Sequence, residues 1–289
     1  MIETVPGLVT VLIPTFRSRE LVPETLSSLK GQTGVEWDCV VSDDASDDGT
    51  MDTVRDVVGD DVRFRLVEQP RRLGAVGNWN AALAHARGEF VKLLCNDDLL
   101  YPGTLAEQAH LLAAAPTAVM ATSRRDAVDR YGRTLARARG MKPAGGVVEG
   151  ATALRSFVRT GTNLFGEPSF VLFRTDALRA AGGFTDGQYL TDVSSYAAIL
   201  QRGGLVIAPS PGGAFRVHSA SWTAALRQGQ GRDTRACVRA VARQLDPAPS
   251  SADILAGLGR ATVNAWVRRS AYAVAGLRDR YYAPRVPGE

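Results

Sequence analysis

The stretch LVTVLIPTFRSRELVPETLSSLKGQTGVEWDCVVSDDASDDGT, residues 8–50, decides the fold. It opens on an apolar, β-branched run, residues 8–13, that ends at Pro14. Such a run reads as a strand buried on both faces, as in a parallel sheet. Residues 19–30 then place Leu21, Thr25, Leu26 and Leu29 at helical spacing, with Gly31 as a stop. A second strand, residues 36–42, runs into an acidic cluster, and Thr50 begins a second helix. Strand, helix, strand, helix is the signature of βαβ units and a parallel sheet.

The pattern continues outward. Residues 62–67 predict a strand, 75–87 a helix, 89–95 a strand stopped by Asn96-Asp97-Asp98, and 102–115 a helix. The second half is less regular. A strand is expected at 117–123, a loop or hairpin over 124–150 and a short helix at 151–160. A strand at 170–173 leads into a helix from Thr175 that Gly182-Gly183 closes. A helix at 190–202 and a strand at 204–208 follow, then helices at 223–245 and 251–282 broken by Pro247 and Pro249. The expected fold class is α/β: a Rossmann-like, mostly parallel sheet flanked by helices, with a C-terminal helical extension.

The 289 residues are 45% apolar and 22% charged, an ordinary globular balance that excludes disordered and fibrous classes. No run approaches the ~20 apolar residues of a membrane span. Glu3 stands where a signal peptide would be basic, so no leader is expected. Three scattered cysteines suggest neither a disulfide framework nor a CxxC metal site. A reduced, cytoplasmic protein with no nucleic-acid partner is the expectation. Charge is uneven: residues 1–100 carry net −7 and residues 101–289 net +11. An acidic half can hold a metal, and a basic half can attract phosphates or an anionic surface, or form an ordinary solvated surface.

In open sheets of this kind, ligands sit at the carboxyl ends of the strands. Three polar clusters fall there: Thr15-Phe16-Arg17, Asp43-Asp44 and Asn96-Asp97-Asp98. Adjacent carboxylates repel and are costly to bury, so a cation commonly joins them, and oxygen ligands suit Mg²⁺ or Mn²⁺. Asn96-Asp97-Asp98 could alternatively cap the helix that follows, as could Asp48 or Thr50 beyond Asp43-Asp44. A lone His218 could complete a carboxylate metal site or be structural. Asp192, ahead of an apolar helix, could be an N-cap or a general base.

Five segments in order carry a resemblance. VTVLIPTFRSRELVPETLSSLKGQT with CVVSDDASDDGT, then LGAVGNWNAALAHARGEFVKLLCNDDLLYPGTL, resemble the opening blocks of family 2 glycosyltransferases, which have the GT-A fold. GEPSFVLFRTDALRAAGGF, TDVSSYAAIL and AFRVHSASWT resemble acceptor-side segments of bacterial members. The resemblance covers about residues 8–223. It implies a GT-A domain over 1–223, with a nucleotide-binding part to about 115 and an acceptor part beyond, and leaves 224–289 as the extension. It implies inverting transfer of a sugar from a UDP-, GDP- or dTDP-linked donor to a hydroxyl or amine of a saccharide or small natural product. By the same resemblance Pro14, Thr15, Phe16, Arg17, Asp43, Asp44, Asn78, Trp79, Asn80, Asn96 and Asp97 border the nucleotide sugar. Asp97, Asp98 and His218 would hold the divalent cation. Glu167, Pro168 and Ser169 lie on the acceptor side, and Asp192 is the base.

The physics agrees with those roles. A cation at Asp97 would neutralise charge on a departing diphosphate, with Arg216 assisting. Asp192 has no carboxylate at Thr191 or Ser194, so no repulsion drives its pKa up and it is expected to be ionised at neutral pH. Cys95 replaces the first acid of the metal motif and is a poor Mg²⁺ ligand. Two other classes stand open: a nucleotidyltransferase, although PTFRSRE lacks a Gly-rich phosphate loop with Lys, and a non-catalytic nucleotide-binding scaffold. A dinucleotide dehydrogenase is disfavoured, since no GxGxxG follows the first strand. The Arg-rich C-terminal helices are expected to serve association, by packing on the core, pairing into a homo-oligomer or lying on an anionic membrane.

Overall fold

The structure, a computed structural model, describes residues 4–185, 190–218 and 229–282. One nine-stranded sheet runs in the order β3-β2-β1-β4-β8-β6-β9-β5, with β7 paired to β6. The strands are β1 (Val5–Thr15), β2 (Trp37–Asp43), β3 (Phe64–Glu68), β4 (Gly88–Leu93), β5 (Leu99–Leu100), β6 (Ala118–Asp129), β7 (Thr134–Arg139), β8 (Val171–Arg174) and β9 (Gly204–Val217). From β3 to β4 all pairings are parallel. β8 then runs antiparallel to both β4 and β6, and β9 runs parallel to β6.

That single reversal positions the site. Because β8 is antiparallel to β4, the residues entering β8 meet the residues leaving β4. Because β6 is antiparallel to β8, β9 leaves the sheet at the same edge as β1, β2 and β4. The loops after four strands and the loop before a fifth therefore converge.

Helices cover both faces. On one side α1 (Val22–Lys30), α2 (Thr50–Val58) and α4 (Thr104–Ala113) bury Val22, Leu26, Leu29, Val54, Leu105 and Leu112 against Val9, Val11 and Ile13 of β1. On the other side α3 (Ala75–Leu83), α5 (Gly150–Thr160), α6 (Thr175–Ala180) and α7 (Thr191–Leu200) bury Trp79, Leu83, Phe157, Leu178 and Tyr196. Gly182 and Gly183, both at positive φ, close α6 as their sequence predicts.

Several bounds differ from the sequence reading. The expected helix over 75–87 stops at Leu83, where Ala84–Ala86 turn into β4. The two-residue β5 has no sequence signal of its own; it exists because it pairs antiparallel with β9. The expected loop or hairpin over 124–150 contains a hairpin, in which β6 continues to Asp129 and turns into β7. β9 runs on past 208 to Val217, although it holds Pro209 and Pro211.

The C-terminal helices are α8 (Gln230–Gln244) and α9 (Ser251–Tyr282). The part of the expected helix over 223–228 lies outside the described residues. α8 places Val238, Val241 and Ala242 in the same core as α5 and α7, so it packs as part of the main body. α9 crosses α5 through small residues. A Cβ on Gly257 would stand 1.8 Å from the Val158 carbonyl oxygen, and one on Gly161 would stand 2.1 Å from the Gly257 carbonyl. Gly257→Ala must therefore lift α9 from α5, and a loss of about 1–3 kcal/mol is expected, read as a lower urea midpoint at unchanged slope.

Candidate active site

The loops after β1 and β2 are tied together by carboxylates. Asp43, at the end of β2, accepts from Thr15 Oγ1 at 2.8 Å, from Ser46 N at 2.7 Å and from Ser46 Oγ at 2.6 Å. Ser46 Oγ in turn accepts from Arg17 N at 2.9 Å. This network holds Arg17 and Ala45 at positive φ, 47° and 58°, a conformation that costs non-glycine residues energy unless the surroundings fix it. Asp44 accepts from the backbone of Leu73 and Gly74 at the start of α3. The half-buried Phe16 ring lies beneath Arg72, 4.1 Å from guanidinium carbon to ring centroid. Arg17 pairs outward with Asp47 at 2.7 Å, and Pro14 is buried in β1.

The turn after β4 separates two carboxylates with different surroundings. The ligand atoms of Cys95, Asp97 and Asp98 lie within 4.8 Å of one another. Asp98 is fully buried: it accepts from Ser169 Oγ at 2.6 Å and from Arg216 N at 3.0 Å, and burial followed by the neighbouring Asp97 charge pushes its pKa well up. Both of its oxygens are engaged inside the protein, where they fasten β4 to β8 and β9, so an ion at the expected ligand Asp98 would compete with Ser169 and Arg216. Asp97 is partly open, and His218 Nε2 donates to its Oδ2 at 3.0 Å. His218 Nδ1 is buried and has no partner among the described residues. Burial, then the Asp98 and Asp97 charges, keep Cys95 a thiol well above the ordinary range. Asn96 is half-buried in the same turn. A divalent ion at Asp97 would have to displace the proton between Asp97 Oδ2 and His218 Nε2, and such a mixed O and N donor pair suits Mn²⁺ more readily than Mg²⁺.

The side expected to face an acceptor is built by the segment entering β8 and by α7. Glu167, Pro168 and Ser169 lead into one turn of 3₁₀ helix, Pro168–Phe170. Arg125 of β6, 3% exposed, forms a two-point pair with Glu167 whose second bond is 2.9 Å. Asp192 opens α7 and accepts from Asn163 Nδ2 at 2.6 Å and from Val193 N at 2.7 Å. Asn163 also donates to Gly166 O at 2.9 Å, fixing the loop that carries Glu167. Asp192 keeps part of its surface open, yet its carboxyl is recessed: burial first, with Glu167 adding, pushes it up to about 7. The expectation of an ordinary, ionised Asp192 is corrected here. Burial removes the solvation the charged form needs, and the nearby Glu167 charge adds to it.

Asn78, Trp79 and Asn80, expected beside the nucleotide, make their contacts within the protein. Asn78 exchanges hydrogen bonds with Ser42, Trp79 packs edge-on to Phe184 at 5.5 Å, and Asn80 bonds both ways to the Phe184 backbone. Arg216 does not reach outward either. Its guanidinium is buried, paired with Glu24 at 2.6 Å and donating to the carbonyls of Asp97 at 2.9 Å and Arg130 at 2.5 Å. It therefore positions Asp97 through the backbone.

Sequence reasoning missed Arg72, Lys92, Arg125 and Asn163. Lys92 had a visible signal, being one of three lysines in the chain and set in the middle of an apolar strand. Its buried ammonium donates to the carbonyls of Ser169 at 3.0 Å and Val171 at 3.1 Å, and burial lowers it to about 7. Arg125 and Asn163 had no signal, because their partners Glu167 and Asp192 come from distant parts of the chain.

The model of glycosyl transferase family 2 matches residues 10–182, and the chain belongs to that family. A β-1,3-glucosyltransferase of Campylobacter jejuni, named for a GalNAc(5)-diNAcBac-PP-undecaprenol substrate, is 36% identical over 98 residues, 34% of this chain and 32% of that one. The chain spans between about a tenth and two thirds of the length of the curated relatives it matches. Staphylococcus aureus TarS 1–349, solved with UDP-GlcNAc, shares the fold at TM-score 0.63 and 18% identity, over 87% of this chain and 72% of that one. The Pyrobaculum calidifontis mannosyltransferase PcManGT, solved with GDP-Man and Mn²⁺, aligns at TM-score 0.57 and 20% identity, over 95% and 87%. The fold is thus GT-A. Among the described residues no helix is long and apolar enough to cross a membrane.

Proposed function

We propose that this chain is an inverting glycosyltransferase that moves a sugar from a nucleotide-sugar donor to an acceptor hydroxyl. One observation carries the reading: a recessed carboxylate, Asp192, poised near 7 at the same sheet edge as the Asp97–His218 pair. A general base works best with a pKa near the operating pH. In this reading Asp192 takes the acceptor proton as the acceptor oxygen bonds to the anomeric carbon. The bond from that carbon to the diphosphate breaks, and a nucleoside diphosphate leaves. Phe16 and Arg72 flank the base, while the Asp43 network fixes the loop beneath the ribose and phosphates. Asp97 and His218 would hold a divalent ion, Mn²⁺ or Mg²⁺, which when bound supplies charge neutralisation at the departing diphosphate. The Arg125–Glu167 pair shapes the acceptor pocket. By analogy with the name of the Campylobacter relative, a lipid-linked saccharide is the acceptor to try first. We place the protein in the reducing cytoplasm, where its three free cysteines persist as thiols.

The test incubates purified protein with UDP-, GDP- and dTDP-sugars, Mn²⁺ and saccharide acceptors. Release of a nucleoside diphosphate with an inverted glycosidic product supports the reading. Release of pyrophosphate marks a nucleotidyltransferase, and donor binding without turnover marks a scaffold; either outcome overturns it.

A further inference from the structure

We propose that the outward face of α9 docks onto the surface of an anionic membrane. Leu255, Val263, Trp266 and Val267 are 68%, 62%, 66% and 63% exposed, the most exposed large apolar side chains after Val62 among the described residues. At 100° per residue they share one face of the helix, a stripe about 18 Å long. The opposite face is spent on the protein, with Gly257, Ala261 and Ala265 buried against α5 and α8. The stripe is therefore not needed for folding, and nothing among the described residues covers it.

Charge selects the occupant. Residues 254–270 contain three arginines, Arg260, Arg268 and Arg269, and no acid. Arg260 and Arg269 are exposed and flank the stripe, and Arg260 donates to the Arg159 carbonyl at the exposed end of α5. An apolar face carrying a tryptophan and bordered by arginines matches a lipid interface, where the indole sits at headgroup level and the guanidiniums meet lipid phosphates. A second copy of the chain fits poorly, since two such faces laid together would oppose arginine to arginine. Membrane attachment through α9 holds whatever acceptor the active site takes. It leaves the sheet edge free, and it anchors the protein next to α5, whose C-terminal end leads within three residues to Asn163, the partner of Asp192.

The experiment floats the full chain with phosphatidylcholine vesicles containing about one third phosphatidylglycerol, and with pure phosphatidylcholine vesicles. The protein is expected to rise with the anionic vesicles alone, and to be released by high salt. The combined variant Val263→Ser, Trp266→Ser, Val267→Ser should lose about a hundredfold in partition while melting as the parent does. Arg260→Gln with Arg269→Gln should weaken binding to the anionic vesicles specifically. Failure of the parent to float overturns the proposal, as does undiminished flotation of the apolar variant. So does light scattering that shows a parent dimer split to monomers by the same variant. Sugar transfer to a soluble acceptor is measured alongside, so that loss of docking and loss of the proposed activity are separate results.

Discussion

Asp192→Asn is expected to lower kcat by about 10²–10⁴-fold, the usual contribution of a general base, while leaving donor affinity within about twofold. Asparagine keeps the shape and the Asn163 contact on one side, but it cannot accept a proton. In the parent, kcat should rise with pH through about 7 and then level off, because burial pushes Asp192 up to about 7 and its carboxylate is the working form. In the variant that rise should vanish. The stability sign is opposite. A carboxyl raised above its unfolded value favours folding while protonated, and this contribution is lost as pH climbs from the ordinary carboxylate range through about 7. Asparagine never ionises, so the variant should melt no lower than the parent at pH ~8, and its Tm should depend less on pH between ~5 and ~8. Initial rates and calorimetric melts across that range check both halves. A variant that transfers sugar at the parental rate would make Asp192 a helix-end residue only.

The adjacent acids Asp97 and Asp98 should fail in different ways. Asp97 is partly open and faces His218, so Asp97→Ala should leave the protein folded but weaken donor binding in Mn²⁺ by about a hundredfold or more and nearly abolish transfer. Asp98 is sealed beneath Ser169 and Arg216. Asp98→Ala strands a hydroxyl and a backbone N–H, and the expected loss is about 2–3 kcal/mol of stability. Titration calorimetry with and without Mn²⁺, set beside urea unfolding, separates the two. Equal stability losses would make both acids structural.

The parallel half of the fold was legible because its rules are local. Residues 8–13 and 36–42 are apolar runs of strand length, and the polar clusters after them fall where chain leaves sheet. The acceptor half was harder to read. β5 has two residues and exists only through pairing, and the length of β9 depends on its partner β6 rather than on its own proline-containing sequence. The site followed the same division. Asp97, Asp192 and His218 could be nominated from position and resemblance. That Asp98 and Arg216 point inward, and that Asp192 is raised by burial, depends on contacts between residues up to 192 positions apart in the chain. No local pattern encodes those contacts.

Ser169 has a consequence of a different kind. Its carbonyl serves Lys92, its hydroxyl serves both Asp98 and the Cys95 amide, and Asp98 also receives the Arg216 amide. Losing the Ser169 hydroxyl or the Asp98 carboxylate strands its buried partner, whereas the Ser169 carbonyl that serves Lys92 is backbone and survives any substitution there. Descent by single substitutions is therefore costly at Asp98 and Ser169. Across related genes these two positions should be inherited as one character, kept together or replaced together, while the exposed residues around them drift freely.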